Sequence, residues 1–586
     1  MTSMPRAEYP RPQFQRDAWV NLNGTWEFEF DDNRIGGQEG WHDRKAPFAK
    51  TIQVPFSFES ELSGIGDPGF HDVVWYRRKL DIPDHFAGKR IVLHFGAVDY
   101  EAQVWVNGRQ VASHEGGHTP FHADITDALR ADGDNILVVR AEDYGTDVFL
   151  PRGKQFWEEK SRAIWYTRTT GIWQTVWMEA VSPMHLRKVK YTPNIDANEI
   201  GIRAFVTGAG AQSGDVRLQV RISFDGQAVA TDEFAVRAGE EARTIRLAGL
   251  NDHGMDRCWW PERPNLYDVE FVLFLDGSEA DRVTSYFGMR KISLENGKFN
   301  LNNRPYFMKL VLDQGYFPQG NLTPPSDDAI RQDVELTKAM GFNGARKHQK
   351  IEDPRYLYWC DKLGLLVWGE TANAYDYSEE YAHRFTKEWQ EAIERDYNHP
   401  CIAVWVPLNE SWGVPNIQID IRQQQHALAM YYLTKSLDPT RLVVSNDGWE
   451  MVATDLYNIH DYEWRREVLE DRYGSVEKAV SAMPANRRLS VGGFSYDGQP
   501  ILVTEFGGIA YKKSDWEGWG YSGASSDEDF EQRLRGVIQP LLRSGVVQGY
   551  CYTQLTDVEQ EINGLLTYDR QPKIALERIK AINEGN

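Results

Sequence analysis

The chain has 586 residues, 41% hydrophobic and 26% charged, with a formal net charge of −21; this is a globular composition with room for three or four domains of about 150 residues. Such acidity excludes partners held through nucleic-acid phosphates or anionic membrane surfaces, which need positive charge. Residues 1–12 lack the basic start and apolar stretch of a signal peptide, and no run of about 18 apolar residues offers a membrane span, so a cytoplasmic location is expected.

Residues 22–179 read as short strands separated by turns. Residues 25–30 and 101–106 alternate with period two, and the second run leads straight into Asn107-Gly108, a strong hairpin signal. Residues 136–140 follow a turn at 132–135. Residues 1–180 are therefore expected to form a jelly-roll β-sandwich. In residues 181–291 the alternating run 216–222 ends near an Asp225-Gly226 turn. Runs 267–275 and 282–287 flank Asp276-Gly277. This block is expected to be an immunoglobulin-like β-sandwich.

After Phe299 the grammar changes. Residues 327–340 carry apolar side chains at helical spacing behind Ser326, a suitable N-cap. Helices are expected at 355–363, 384–397 and 423–437. Between them lie continuous apolar strands at 343–346, 365–370, 402–406 and 441–445. Uninterrupted apolar strands alternating with helices indicate a parallel sheet buried on both faces. Residues 292–586 suffice for one (β/α)8 TIM barrel. Cys258, Cys360, Cys401 and Cys551 show no C-x-x-C spacing and read as reduced thiols.

Two of these apolar runs end in a carboxylate, at Glu410 and Glu505. Catalytic residues of parallel barrels sit at the carboxyl ends of the strands, and paired carboxylates there are equipment for cutting a glycosidic bond. As acid/base, Glu410 needs a raised pKa, which Trp405, Pro407, Trp412 and the second carboxylate are placed to supply. Glu505 is then the nucleophile. The rival is a pair of surface glutamates at strand ends; two in one barrel pattern weigh against it.

Several motifs now carry a family resemblance. Residues 22–26 (Leu-Asn-Gly-Thr-Trp), 170–177 (Thr-Gly-Ile-Trp-Gln-Thr-Val-Trp), Trp260-Pro261-Glu262 with Pro264 and Leu266-Tyr267, and Asn409-Glu410-Ser411 resemble motifs of glycoside hydrolase family 2 in the family's order. The resemblance implies a retaining exo-β-glycosidase acting on a glycoside or oligosaccharide, with Glu410 as acid/base and Glu505 as nucleophile. It implies that Asn409 contacts the sugar 2-hydroxyl and Arg346 supports the nucleophile. Tyr462 resembles a tyrosine that touches the nucleophile, and His348, His460 and Asp461 are further substrate-binding candidates. Glu370 resembles an acid that binds magnesium in some relatives. Ala372 stands where those relatives have a histidine, so neither a metal nor a cofactor is expected. Trp516, Trp519 and Tyr521, interleaved with glycines, read as a mobile aromatic loop over the pocket. A homo-oligomer is a family-level expectation.

The sequence also departs from the family. Gln349 replaces the usual His-Tyr-Pro context after the second strand, and Thr553 stands where a platform tryptophan is usual. No Asn-x-Lys pair follows Glu505, which counts against a β-glucuronidase. A β-galactoside is accordingly the first expectation, with β-glucuronide, mannoside, arabinoside and fucoside as alternatives. A non-catalytic carbohydrate-binding protein would share the β-domains but has no use for two strand-end glutamates. The absence of H-E-x-x-H and of G-x-G-x-x-G weighs against metallohydrolase and dinucleotide chemistry.

Overall fold

Three Asx-Gly turns set three of the hairpins in the two β-blocks. A computed structural model describes residues 4–43, 48–131, 133–208, 214–247, 255–513 and 517–586; Asp132 of the expected 132–135 turn and Trp516 lie outside them. Val106 faces Arg109 across Asn107-Gly108, Phe224 faces Gln227 across Asp225-Gly226, and Leu275 faces Ser278 across Asp276-Gly277. Both residues of every turn have positive φ, 54° and 79° in the first pair. That geometry matches the twist of the flanking strands, and Asn, Asp and Gly adopt it most readily.

The first block is built on two large antiparallel sheets, with a short two-stranded pairing of Val98–Asp99 and Gly171–Ile172 beside them. One orders Lys50–Val54, Gly24–Phe30, Val73–Leu80, Asn135–Glu142, Glu101–Val106 and Arg109–Glu115; the other orders Trp19–Asn21, Val176–Val181, Arg90–Phe95 and Phe121–Asp124. Trp26, Phe28, Tyr76, Leu93, Val139 and Met178 belong to one core cluster. The second block packs a three-stranded sheet (His185–Asn194, Glu199–Thr207, Glu240–Arg246) against a four-stranded one (Gln227–Ala235, Val216–Phe224, Tyr267–Leu275, Ser278–Phe287). Seven strands around one apolar core are the immunoglobulin-like arrangement.

The third block has eight parallel strands: β1 (Met308–Asp313), β2 (Gly344–Lys347), β3 (Leu366–Glu370), β4 (Ile402–Val406), β5 (Leu442–Val443), β6 (Tyr457–His460), β7 (Ile501–Gly507) and β8 (Val547–Thr553). They pair in the order β5-β4-β3-β2-β1-β8-β7-β6. The seam between β5 and β6 carries no ladder among the described residues, because β5 is only two residues long. Side chains close it instead: Asn458 Nδ2 donates to Asp447 Oδ1 at 2.7 Å, and Val443 N to Asp455 Oδ2 at 2.8 Å.

Helix Asp327–Ala339 starts at Ser326, whose hydroxyl accepts from Ala329 N. The helix expected at 384–397 begins earlier, at Glu379, because Ser378 caps it by accepting from Tyr381 N. Its first turn is charged and solvent-facing, so apolar periodicity alone misses it. Buried ion pairs tie the blocks together. Arg16 bonds Glu179 of the first block (2.9 Å) and Asp281 of the second (2.8 Å), and Arg6 reaches Asp353 of the barrel (3.0 Å). All four cysteines are free and buried. Among the described residues no helix is long and apolar enough to cross a membrane.

Candidate active site

Arg346, at the end of β2, is fully buried and ties the barrel mouth together. Its Nε donates to Glu370 Oε2 and lies 2.9 Å from both that atom and Asp447 Oδ2. Nη1 donates to Glu505 Oε1 (2.9 Å) and to the Thr504 carbonyl (3.1 Å). Nη2 donates to Asn409 Oδ1 and lies 3.1 Å from His348 Nδ1. One planar fork thereby joins five segments, which suits a guanidinium and no other side chain. Burial opposes its charge, but Asp447, Glu370 and Glu505 hold the proton firmly. Burial, reinforced by Lys154 and Arg346, keeps His348 well below the ordinary histidine range, so it is neutral and accepts from Arg346.

Glu370 is fully enclosed and works from behind. Burial and the nearby Asp447 push it up to about 7 against the pull of Arg346, and its Oε1 accepts from Gln349 N at 3.0 Å. Every oxygen is spent on the barrel wall. Arg346, by contrast, contacts the nucleophile candidate directly.

Glu505 is held at both oxygens, by Arg346 on Oε1 and by the Tyr462 hydroxyl on Oε2 at 2.7 Å. The same hydroxyl lies 3.2 Å from Thr553 Oγ1, and the Tyr462 ring stacks on Tyr521 with centroids 3.5 Å apart. Glu410 sits on a turn where it and Ser411 both have positive φ, 52° and 61°. Such backbone in two consecutive non-glycine residues costs energy and persists only where neighbours over-determine it. Here Glu410 N donates to the Asp447 carbonyl (2.9 Å), Ser411 N to Asn446 Oδ1 (3.0 Å) and Trp412 N to the Asn409 carbonyl (2.9 Å).

His460 binds the two glutamates together. Its Nδ1 is 2.7 Å from Glu410 Oε1 and 3.5 Å from Glu505 Oε2, while Nε2 is 3.5 Å from Asp447 Oδ2. Burial works against its cation, but the charges of Glu505 and Asp447 and the bonds to Asp447 and Glu410 raise it to about 10. Glu410 is correspondingly lowered: burial favours its neutral form, yet the bond and charge of His460, then Lys154 and Arg346, outweigh it. This differs from the raised pKa expected from sequence. The expected apolar neighbour, Trp412, packs against Trp165 and Tyr375 (centroids 5.4 and 5.2 Å), while cations face the carboxylate. One ligand atom each of Glu410, His460 and Glu505 lies within 4.8 Å of the others.

Not every expected residue joins the site's chemistry. Asp461 lines the adjoining cavity, but its carboxylate is engaged by Arg472, by the Tyr473 hydroxyl (2.8 Å) and by Glu463 N (3.1 Å). Trp519 turns its indole N–H to the Ala163 carbonyl (3.1 Å), and its backbone pairs with Gln560 and Ile562. The loop's described part is thus a pinned wall, with Tyr521 as its contribution to the mouth. A cavity of about 480 Å³ opens beside Glu410, His460 and Tyr462, walled by Trp449, Trp464 and Tyr521. Sequence reasoning missed Asp447, two residues past the apolar run at 441–445. It also missed Lys154 and Glu561, which carry no local signal.

Residues 19–159 match the sugar-binding domain of glycosyl hydrolases family 2, residues 184–290 match the description "Glycosyl hydrolases family 2", and residues 292–511 match that family's TIM barrel domain. The chain belongs to glycoside hydrolase family 2. It is 26% identical to a β-galactosidase of Thermoanaerobacter pseudethanolicus over 70% of this chain and 52% of that one. It is 24% identical to a β-galactosidase of Leuconostoc mesenteroides (98% and 56%) and 25% identical to a β-glucuronidase of Paenibacillus borealis (69% and 69%). The chain spans about half the length of the first curated relatives it matches. In fold it is similar to a β-glucuronidase from Ruminococcus gnavus, with a TM-score of 0.78, 20% identity, and coverage of 99% of this chain and 100% of that one.

The sugar-binding domain of this family 2 chain reaches the barrel mouth through residues 152–166. Arg152 N and Gly153 N donate to the Asn373 carbonyl (3.3 and 2.9 Å), and a Cβ on Gly153 would collide with the Gln349 carbonyl oxygen. The Tyr166 hydroxyl donates to Glu561, whose other oxygen accepts from Asn563 Nδ2 at 3.0 Å.

Proposed function

We propose that this family 2 chain hydrolyses terminal β-glycosidic bonds with retention, Glu410 serving as acid/base and Glu505 as nucleophile. One observation carries the reading: a carboxylate on the turn after β4 and one near the end of β7 bring oxygens within 4.8 Å, each oriented by its own partners. Retention uses a separation of about 5–5.5 Å, whereas inversion needs about 6.5–9.5 Å to fit a water.

In the first step Glu505 attacks the anomeric carbon while the bond to the leaving oxygen breaks and Glu410 hands that oxygen a proton. Glu410 and His460 share one proton across their 2.7 Å bond, resting on His460 and transferable to Glu410. Forming the glycosyl ester removes the negative charge of Glu505. In the second step Glu410 takes a proton from water, the water attacks the anomeric carbon, and the ester bond returns its electron pair to Glu505. Asn409, whose Oδ1 is held by Arg346, turns its amide N–H to the sugar 2-hydroxyl. Arg346 and Tyr462 fix the attacking carboxylate, which supplies orientation in advance of reaction.

The test is Glu505→Gln against nitrophenyl β-glycosides, with turnover expected to fall about a thousandfold or more. Unchanged turnover sinks the enzyme reading, and an α-anomer as first product sinks retention. For the sugar, β-galactoside is the first arm of the panel, supported by relatives of that name and by the missing Asn-x-Lys pair. β-Glucuronide is the second, because other relatives carry that name.

A further inference from the structure

The cavity beside the two glutamates is one-sided. Glu410 and His460 line it, whereas among the described residues Glu505, Arg346 and Asn409 do not. Under the proposed roles the terminal sugar lies against the nucleophile, and the oxygen that Glu410 protonates joins that sugar to the leaving group. A space that reaches the proton donor and not the nucleophile is therefore placed for the leaving group. Its walls are apolar where they are open: Trp464, Met483 and Tyr521 line it and are 55%, 52% and 43% exposed. Covering such faces removes apolar surface from water.

The charged groups of the lining are committed to one another. Arg465 forks onto Glu463 through Nε (2.9 Å) and Nη2 (2.7 Å), and the Asp461 carboxylate is taken by Arg472 and the Tyr473 hydroxyl. A second sugar would bring a ring of hydroxyls that need free donors and acceptors, whereas a flat aromatic group needs only faces to pack on. Those faces are fixed relative to the acid/base. The Tyr521 ring is stacked on Tyr462, which bonds Glu505. Glu450 accepts from Ser411 Oγ (2.5 Å), next to Glu410, and from Arg487 Nη1 (3.1 Å). Arg487 N in turn donates to the Pro484 carbonyl at 3.0 Å. One carboxylate thus ties the turn carrying Met483 to the turn carrying Glu410, and a wall built in advance loses little freedom on binding.

We propose that this cavity is a leaving-group site that selects uncharged aromatic aglycones over sugars, with Trp464 and Met483 as specificity-determining residues. The proposal rests on the glycosidase reading above and names its substrate class. Wild type, Trp464→Ala, Trp464→Phe and Met483→Ala are assayed on three β-glycosides of the sugar that the chain cleaves. These are the 4-methylumbelliferyl glycoside, the methyl glycoside and the disaccharide in which glucose is the leaving group. Two ratios of kcat/KM are read, aryl over methyl and disaccharide over methyl, so that a general effect of a variant cancels.

In Trp464→Ala the aryl ratio is expected to fall about tenfold, the scale of one lost aromatic contact with its area, and the disaccharide ratio less than about threefold. Trp464→Phe keeps a ring and is expected to hold the aryl ratio within about threefold of wild type. Met483→Ala is expected to lower the aryl ratio in the same direction by a smaller factor. Equal falls in both ratios overturn the aromatic preference and give the cavity to a second sugar. An aryl ratio that stays within about threefold of wild type in both alanine variants overturns the site itself. Activity surviving in Glu505→Gln would instead defeat the glycosidase reading, a separate outcome.

Discussion

A histidine between two carboxylates decides how the proposed acid/base stores its proton. His460 is raised to about 10 while Glu410 is lowered, so over the neutral range the pair holds one proton, mostly on the imidazole. Under the proposed roles the alkaline limb of kcat/KM reports loss of that shared proton. Replacing His460 by Gln removes the bond and charge that lower Glu410 and leaves its burial. The alkaline limb should then move down by about one pH unit or more, into the carboxyl range; a pH profile of kcat/KM checks this. The sign for stability follows from the same shift. A histidine raised in the folded state stabilises fully below its unfolded value of about 6.5, and that contribution fades as pH rises through about 10. Urea midpoints of wild type should therefore fall toward those of His460→Gln between pH 7 and 10.

The turn at Glu410–Ser411 and the segment after β5 form one unit. Glu410 N and Ser411 N are held by Asp447 and Asn446, and the same segment continues into Gly448, whose φ is +100°. A Cβ at Gly448 would run into the His460 ring, so only glycine lets β6 bring the imidazole this close. Gly448→Ala is expected to cost about 1–3 kcal/mol of stability through the left-handed backbone and the displaced ring, with loss of activity as His460 moves. Gly492→Ala is the contrast. A Cβ there meets nothing within 4 Å, and its effect should lie within about 1 kcal/mol of neutral. Equal losses in chemical denaturation would contradict this account of Gly448.

Across the whole molecule, buried ion pairs rather than flexible linkers join the three blocks. Arg6 is held between Glu8 and Asp353, and Asp353 also caps helix Pro354–Leu363 by accepting from Arg355 N. Removing the guanidinium leaves that buried carboxylate without its cation, a defect that costs about 3–5 kcal/mol. Arg6→Met should lower the urea midpoint by that amount. Near-ultraviolet and far-ultraviolet transitions should shift together, because the barrel and the first sandwich share the contact. A shift confined to one transition shows that the blocks unfold independently.

The local signals in the chain determined its elements. Asn107-Gly108, Asp225-Gly226 and Asp276-Gly277 place three hairpins because their φ angles are a property of those residues, and Ser326 starts a helix because its own hydroxyl caps it. Strand-end carboxylates at Glu410 and Glu505 were legible for a similar reason: a buried apolar run ending in an acid has few other uses. What the tertiary structure alone decided is which charges meet. Asp447, His460 and Arg346 lie on different strands and converge only once the barrel curls and its seam closes. Tyr166 reaches Glu561 only when a loop from the first block packs over the mouth. Proton affinities depend on charges within a few ångströms, and closing the fold sets those distances, so the expected high pKa of Glu410 became a low one. Periodicity and turn chemistry act over a few residues; Glu410 feels charges as far along the chain as Lys154, 410 − 154 = 256 residues away.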